Sequence, residues 1–365
     1  FRLISEGIFK AELQHIFSSI FRPPAWRMSP ESIKAAKDLG LEYLALSPDK
    51  YEDGSLDYGG EDKKFDKVIY YNVSPPYKPL QLFDKTEIIV LGTVQDGGLP
   101  HINCSSSCCF NKSKSSNYKV SSLGLVDSSN KKFYIFDATP DFPSQFNYMK
   151  NRYNYDFNGI FLTHAHIGHY SGLMFLGKEA MNSDLVPVFT MPRMYSFLNK
   201  NSPWSQLINQ SNIIVNKIFN GKSHHISKNL AIKPLLVPHR DEFSETVGYL
   251  IQGLNKKILF IPDIDKWSKW EFSLKDIINE LDLLFIDGTF YDNSEISYRP
   301  IDEIPHRFVS ETMKYLDNLS LTNKNKIYFI HMNHTNPMLD PQSEITLKVL
   351  SNGFNIAKIG QTFEL

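Results

Sequence analysis

Three cysteines in 365 residues, all between positions 104 and 109, are too few and too close together to staple distant segments. That scarcity excludes a disulfide framework and points to a reducing compartment, the cytoplasm, with a local metal site. A net charge of -1 gives no electrostatic drive toward nucleic acid. No apolar run reaches the roughly 18 residues of a bilayer span, so a membrane is not an expected partner. The chain starts at Phe1 with no basic-then-apolar leader after it, from which a fragment or a processed product is expected. Internal repeats and low-complexity tracts are also missing. What remains is the composition of an ordinary globular protein acting on a small molecule, long enough for one large domain with an appendage.

The densest chemistry lies at 159–169. Gly159-Ile160-Phe161-Leu162 reads as a short buried strand, Thr163-His164-Ala165-His166-Ile167-Gly168-His169 as its carboxyl-end loop, and Leu173 onward as a helix. A lone histidine is more often structural, but three within six positions at a strand end can converge on one cation. Further apolar runs read as strands: Glu87–Gly92, Lys132–Asp137, Val186–Phe189, Leu230–Val237, Val247–Ile251, Lys257–Ile261, Leu283–Ile286 and Lys326–Ile330. Four of them end, directly or after one proline, in a metal-capable residue: His239, Asp263, Asp287 and His331. Strands buried on both faces that deliver polar groups only at their carboxyl ends build a site at one sheet edge. Val120 onward is less regular, and Lys217–Asn229, with His224 and His225, reads as a solvated turn.

Residues 1–80 differ in character. Phe21–Pro30 is a proline-stiffened loop, Pro30–Gly40 a helix stopped by Gly40, and Leu41–Leu46 a strand. This combination resembles the late part of a polysaccharide-deacetylase (NodB-type) domain. The earlier motifs of such domains, an acidic pair and a His-x-x-x-His site, are absent, so the segment is expected to be partial and catalytically inert. The plain alternative is a helix and strand packed on the main domain. Pro75-Pro76-Tyr77-Lys78-Pro79 reads as a linker into a second domain, 86–365.

His164, His166, His169, His239, Asp263 and His331 follow in the order of the metallo-β-lactamase superfamily of dinuclear metallohydrolases, which residues 86–365 resemble. The resemblance implies an α/β fold of the αββα sandwich type. Val90-Leu91-Gly92-Thr93, Gly97-Gly98-Leu99-Pro100, Ile102-Asn103-Cys104, Asp287-Gly288-Thr289-Phe290 and His331-Met332-Asn333-His334-Thr335-Asn336-Pro337 are similar to the coenzyme PQQ synthesis protein B group within it. Two divalent metals are implied, one on His164, His166 and His239, the other on His169, Asp263 and His331, with Asp263 bridging. Zinc is the default; imidazoles also take iron or manganese. The implied reaction is attack by a metal-bound hydroxide on an ester or phosphodiester-like substrate, with Asp263 in the catalytic machinery. The PQQ group implies instead an iron-dependent oxidoreductase in cofactor biosynthesis.

Gly168 stands where the superfamily carries Asp, which leaves the second metal one ligand short and that site weak. Asp96 is the candidate substitute; the plain reading is a turn residue before Gly97. Cys104, Cys108 and Cys109 with His334 make a candidate structural zinc quartet, similar to that of the phosphonate-pathway cyclic phosphodiesterase. The spacing departs from the family's C-x-C-x-x-C, and adjacent Cys108 and Cys109 predict strain if both chelate; the alternative is free buried thiols. His306, after Pro305, is a candidate proton donor. Asp287 suits a carboxylate orienting a metal-bound histidine, and His101 is equally a loop residue.

Overall fold

The computed structural model describes residues 85–110, 118–296 and 304–365, with five short backbone strands before them. The chain divides into two units, Phe1–Gln81 and Leu82–Leu365. In the first, the strands are β1 (Ile20–Phe21), β2 (Tyr43–Leu46), β3 (Asp49–Lys50), β4 (Leu56–Asp57) and β5 (Lys67–Tyr70). β1, β2 and β5 form a parallel sheet, and β3 pairs antiparallel with β4. The strand expected over Leu41–Leu46 falls on β2. The expected helix over 30–40, the loop over 21–30 and the linker over 75–79 lie outside the described residues.

The second unit is built from runs that alternate between two apolar environments. Along β6 (Glu87–Gly92), Ile88 and Val90 enter one core and Ile89 and Leu91 another. After β7 (Ser122–Asp127), strand β8 (Lys132–Phe136) repeats this, with Tyr134 and Phe136 on one side and Phe133 and Ile135 on the other. A strand apolar at every position has to be covered on both faces, because successive side chains point oppositely. β9 (Asp156–Phe161), β10 (Val186–Thr190) and β11 (Ile213–Lys217) extend this sheet on one side.

A second sheet runs β12 (His224–Ser227), β13 (Leu230–Leu236), β14 (Val247–Gln252), β15 (Lys257–Ile261), β16 (Leu283–Asp287), β17 (Ile327–Ile330) and β18 (Asn355–Ile356) in sequence order. The terminal β19 (Thr362–Glu364) returns to pair antiparallel with β6, making seven strands in each sheet. Ile258, Phe260 and Phe285 face Phe136 and Phe161 in a shared inter-sheet core, while Leu259, Ile261, Leu284 and Ile286 pack toward helices. Helices such as Phe142–Tyr153 cover the first sheet, and Val309–Tyr315 and Glu344–Ser351 the second. The layers are therefore αββα, as the sequence implied.

β8 and β9 run parallel, as do β15, β16 and β17, so the loops after these strands gather at one edge of each sheet. Tyr249 ties the sheets together just below that edge: its buried hydroxyl donates to the Leu162 carbonyl, two residues before His164. Tyr249→Phe would leave that carbonyl without its donor, and a loss of ~1–3 kcal/mol is expected in urea unfolding. An unchanged urea midpoint would contradict it.

Three local expectations are corrected. Ser122–Asp127 is a regular strand, buried along its whole length, whose Ser122 and Gly124 hid it from an apolar count. Lys217–Asn229 contains β12 rather than only a turn, and His224 packs on Phe189 at 4.6 Å between ring centroids. The segment after His169 is 3-10 over Ser171–Leu176 instead of α-helical.

Candidate metal centre

Every histidine of the 163–169 loop sits past the end of β9, and the partner residues sit past β13, β15 and β17. His164, His166 and His239 form one group of converging ligand atoms; His164, His169 and Asp263 form another. Asp263 is buried between them. Its Oδ2 lies 3.3 Å from His169 Nε2 and 3.5 Å from His331 Nε2, and its Oδ1 lies 3.7 Å from His239 Nε2. Metal bonds of about 2.0–2.2 Å to N and O give a tetrahedral edge of about 3.3–3.6 Å, so the Oδ2 separations suit donors around one cation. His239 Nε2 and His166 Nδ1 are 3.3 Å apart, whereas His164 Nε2 and His166 Nδ1 stand at a hydrogen-bonding 2.8 Å.

The ring orientations follow from a proton count. Thr163 has one hydroxyl proton, which it donates to Asp137 at 2.9 Å, so it accepts from His164 Nδ1, also at 2.9 Å. On the other sheet Thr289 donates to Asp287 at 2.6 Å and accepts from His331 Nδ1 at 3.0 Å. His169 Nδ1 donates to Asp137 at 2.8 Å, and His239 Nδ1 to the Pro305 carbonyl at 3.1 Å. In all four rings Nδ1 holds its proton, and Nε2 is the nitrogen turned to the centre. Such outer partners set tautomer and aim for metal-binding imidazoles. His169 Nε2, Asp263 Oδ2 and His331 Nε2 are buried without a hydrogen-bond partner. Two orphaned imidazole nitrogens at 3.3 and 3.5 Å from one orphaned carboxylate oxygen fit a cation better than any packing role.

Electrostatics separate the histidines. Burial, then neighbouring His169, holds His164 well below the ordinary imidazole range, and the same two causes lower His166 to about 4. His239 and His331 are also lowered, first by burial and then by nearby histidines. Burial acts against charge on His169 too, but Asp263 and Asp137 outweigh it and raise that ring to about 9. Burial pushes Asp263 upward. His306 Nδ1 donates to Asp287 at 2.7 Å, and Asp287 with Asp263 raises His306 against the effect of burial.

Asp137 and His331 both carry positive φ, 64° and 66°. Left-handed backbone costs a non-glycine residue roughly 1–3 kcal/mol and concentrates at functional sites. Both turns follow a buried strand, and both redirect the chain into the centre.

Asp137, Thr163 and Thr289 had not been singled out in the sequence. Asp137 carried the available signal, since Lys132–Phe136 is another apolar strand ending in a carboxylate; the threonines carried none. Asp137→Asn replaces an acceptor by an amide while keeping the shape. A fall of about 10–100-fold in metal affinity is expected by titration, and unchanged affinity would remove Asp137 from the site. Asp287 reaches His331 through Thr289 rather than directly.

Asp96 is half-buried and joins no group whose ligand atoms all lie within 4.8 Å of one another. It lies directly over Gly168: a Cβ added there would meet Asp96 Cβ at 1.9 Å.

Cys104, Cys108, Cys109 and His334 do assemble. Cys104 and Cys108 sulfurs are 3.7 Å apart, and His334 Nδ1 lies 3.6 Å from Cys108 and 3.4 Å from Cys109. A zinc tetrahedron with bonds of about 2.3 Å to S and 2.0–2.1 Å to N has edges of about 3.8 Å and 3.5–3.6 Å. Cys108 and Cys109 both lie on the helical turn Ser107–Phe110, with His334 Nδ1 within reach of both sulfurs. His334 is stacked on His101 at 4.3 Å, so His101 belongs to this cluster and not to the histidine centre. Burial pushes Cys108 up to about 11 and Cys109 upward, while a backbone hydrogen bond at Ser106 lowers Cys104.

Comparisons agree with this architecture. A family profile described as "Beta-lactamase superfamily domain" matches residues 133–332. Coenzyme PQQ synthesis protein B of Pseudomonas putida (strain GB-1) is 24% identical over 306 residues, covering 76% of this chain and 99% of that protein. The crystal structure of Zn(2+)-bound PqqB from Methylobacterium extorquens superposes with a TM-score of 0.61 at 21% identity, covering 76% of this chain and all of that one. A diphosphatase from the PhnP family gives 0.55 at 20% identity, covering 77% and 97%.

Proposed function

The chain belongs to the beta-lactamase superfamily, and from that premise we propose that it is a metal-dependent hydrolase of ester or phosphodiester-like substrates. One observation carries this reading: buried His169 Nε2, Asp263 Oδ2 and His331 Nε2 lack partners and face one another beside the triad of His164, His166 and His239. Those six residues would hold two divalent cations, zinc by default. Bound there, the cations supply an acidified water and charge neutralisation for an oxygen-rich substrate.

The chain's own groups do the rest. Asp263 keeps the two donor sets in register, one oxygen toward each. Asp137 and Thr163 hold the rings on the first sheet, Asp287 and Thr289 those on the second. His306, its Nδ1 donating to Asp287 and its pKa raised by Asp287 and Asp263 against burial, would serve as the proton source for a leaving oxygen. The cysteine quartet would hold a structural zinc, and the absence of a disulfide among Cys104, Cys108 and Cys109 suits a reducing cytoplasm. Among the described residues no helix is long and apolar enough to cross a membrane.

The matched relatives, named for PQQ synthesis and matched over nearly their full length, favour a second reading, a role in cofactor biosynthesis, for which an iron-dependent oxidoreductase is the form to test. Metal analysis of the purified protein, followed by turnover of bis(p-nitrophenyl) phosphate under nitrogen, decides between the two. Anaerobic turnover that requires added zinc or manganese supports the hydrolase. Bound iron with oxygen consumption and no anaerobic turnover overturns it.

A further inference from the structure

The geometry points to Asp96 as the carboxylate that completes the cation position at His169, Asp263 and His331, with Gly168 kept small to admit it. This rests on the two-metal reading above.

Gly168 lies between His166 and His169 and has no side chain to contribute. The space a side chain would use is already taken: a Cβ on Gly168 would fall 1.9 Å from Asp96 Cβ, 2.8 Å from its Cα and 3.0 Å from its carboxyl carbon. Carboxylates built from either position therefore sweep overlapping volumes, and the chain can carry only one of them. Asp96 is the one present.

Its backbone is fixed to the centre. Gln95 N donates to Met332 O at 2.8 Å, next to His331, and Met332 N donates to Thr93 O at 2.8 Å. Asp96 thus leaves a strand register locked to the residue beside a proposed ligand. Its carboxylate joins none of the clusters whose ligand atoms lie within 4.8 Å of one another, so reaching the cation takes a turn of its side chain about χ1. A turn residue before Gly97 would need none of this, and Asn would serve a turn as well as Asp.

The test counts metals. Zinc per chain is measured by elemental analysis, and cobalt titration separates thiolate-bound cobalt, through its charge-transfer absorption, from cobalt in the histidine centre. Wild type is expected to hold three cations. Asp96→Ala and Asp96→Asn are expected to lose one from the histidine centre or bind it at least about 10-fold more weakly. The exchange Asp96→Gly with Gly168→Asp is expected to restore it, whereas Gly168→Asp alone, clashing with Asp96, should lower the melting temperature. Three cations at unchanged affinity in Asp96→Asn, or a folded exchange variant that recovers nothing, would overturn the assignment alone. A wild-type count indifferent to His164→Ala and His169→Ala would instead sink the two-metal reading and the assignment with it.

Discussion

Asp263→Ala is expected to lower kcat/KM by at least about 10³-fold, near 4 kcal/mol at 1.36 kcal/mol per tenfold, and to release cations from the histidine centre while the fold survives. The activity loss follows from position. Asp263 faces both donor sets, with Oδ2 at 3.3 and 3.5 Å from His169 and His331 and Oδ1 at 3.7 Å from His239. The survival follows from energetics. Asp263 Oδ2 has no hydrogen-bond partner and burial pushes its carboxyl upward, which offsets its attraction to His169 at 3.3 Å, so without metal the side chain contributes little net stability. Thermal melts of chelator-treated protein should therefore place the variant level with wild type. Metal-loaded melts should place it below, because only the wild type gains from bound cations. Turnover within tenfold of wild type, with both cations retained, would remove Asp263 from the centre of the mechanism.

The same physics explains what could be read without coordinates. Strands covered on both faces are apolar throughout, so the polar residue ending each one stood out, and His239, Asp263, Asp287 and His331 were visible as a set. The αββα order followed from a resemblance that those residues carried. Asp137 follows β8 in the same way but carries little signal, because a single carboxylate after a strand is common and only Thr163 and His169, brought in from β9's loop, give it a role. Thr163 and Thr289 were invisible for a different reason: each acts through one hydroxyl proton whose direction is set by the partner across the fold. The strand β12 was lost because its alternation is carried by His224 and Ile226, and a histidine does not register as apolar until Phe189 is found against it. Adjacent cysteines read as strained when covalent spacing alone is considered. A single helical turn separates neighbouring side chains by about 100°, and His334 enters from 225 residues away to close the gap.

That cysteine cluster carries the second large effect. Cys109→Ser is expected to lose one zinc per chain and to lower the melting temperature by about 8–16 °C: a ligand held at a thousand times its Kd contributes about 4 kcal/mol, and a domain of ~150–250 residues shifts about 2–4 °C per kcal/mol. Serine keeps the size and the helical turn but replaces a thiolate by a neutral oxygen, a poor zinc ligand. The consequence reaches further, because His101 N donates to Cys109 Sγ at 3.2 Å while the His101 ring stacks on His334 and crowds Gly97, where an added Cβ would fall 2.7 Å from His101 Cδ2. Residues 96–101 thus form a hook between the two clusters, with Asp96 at one end and the cysteine ligands at the other. Unloading the cysteine zinc should therefore weaken cobalt binding at the histidine centre in the wild type but not in Asp96→Asn, where the hook has no ligand left to misplace. A double-mutant cycle with Cys109→Ser and Asp96→Asn measures that coupling directly. Additive effects would mean that the cysteine cluster holds only its own loop; a coupling near the full effect of Asp96→Asn would mean that the structural zinc sets the position of the second cation's carboxylate.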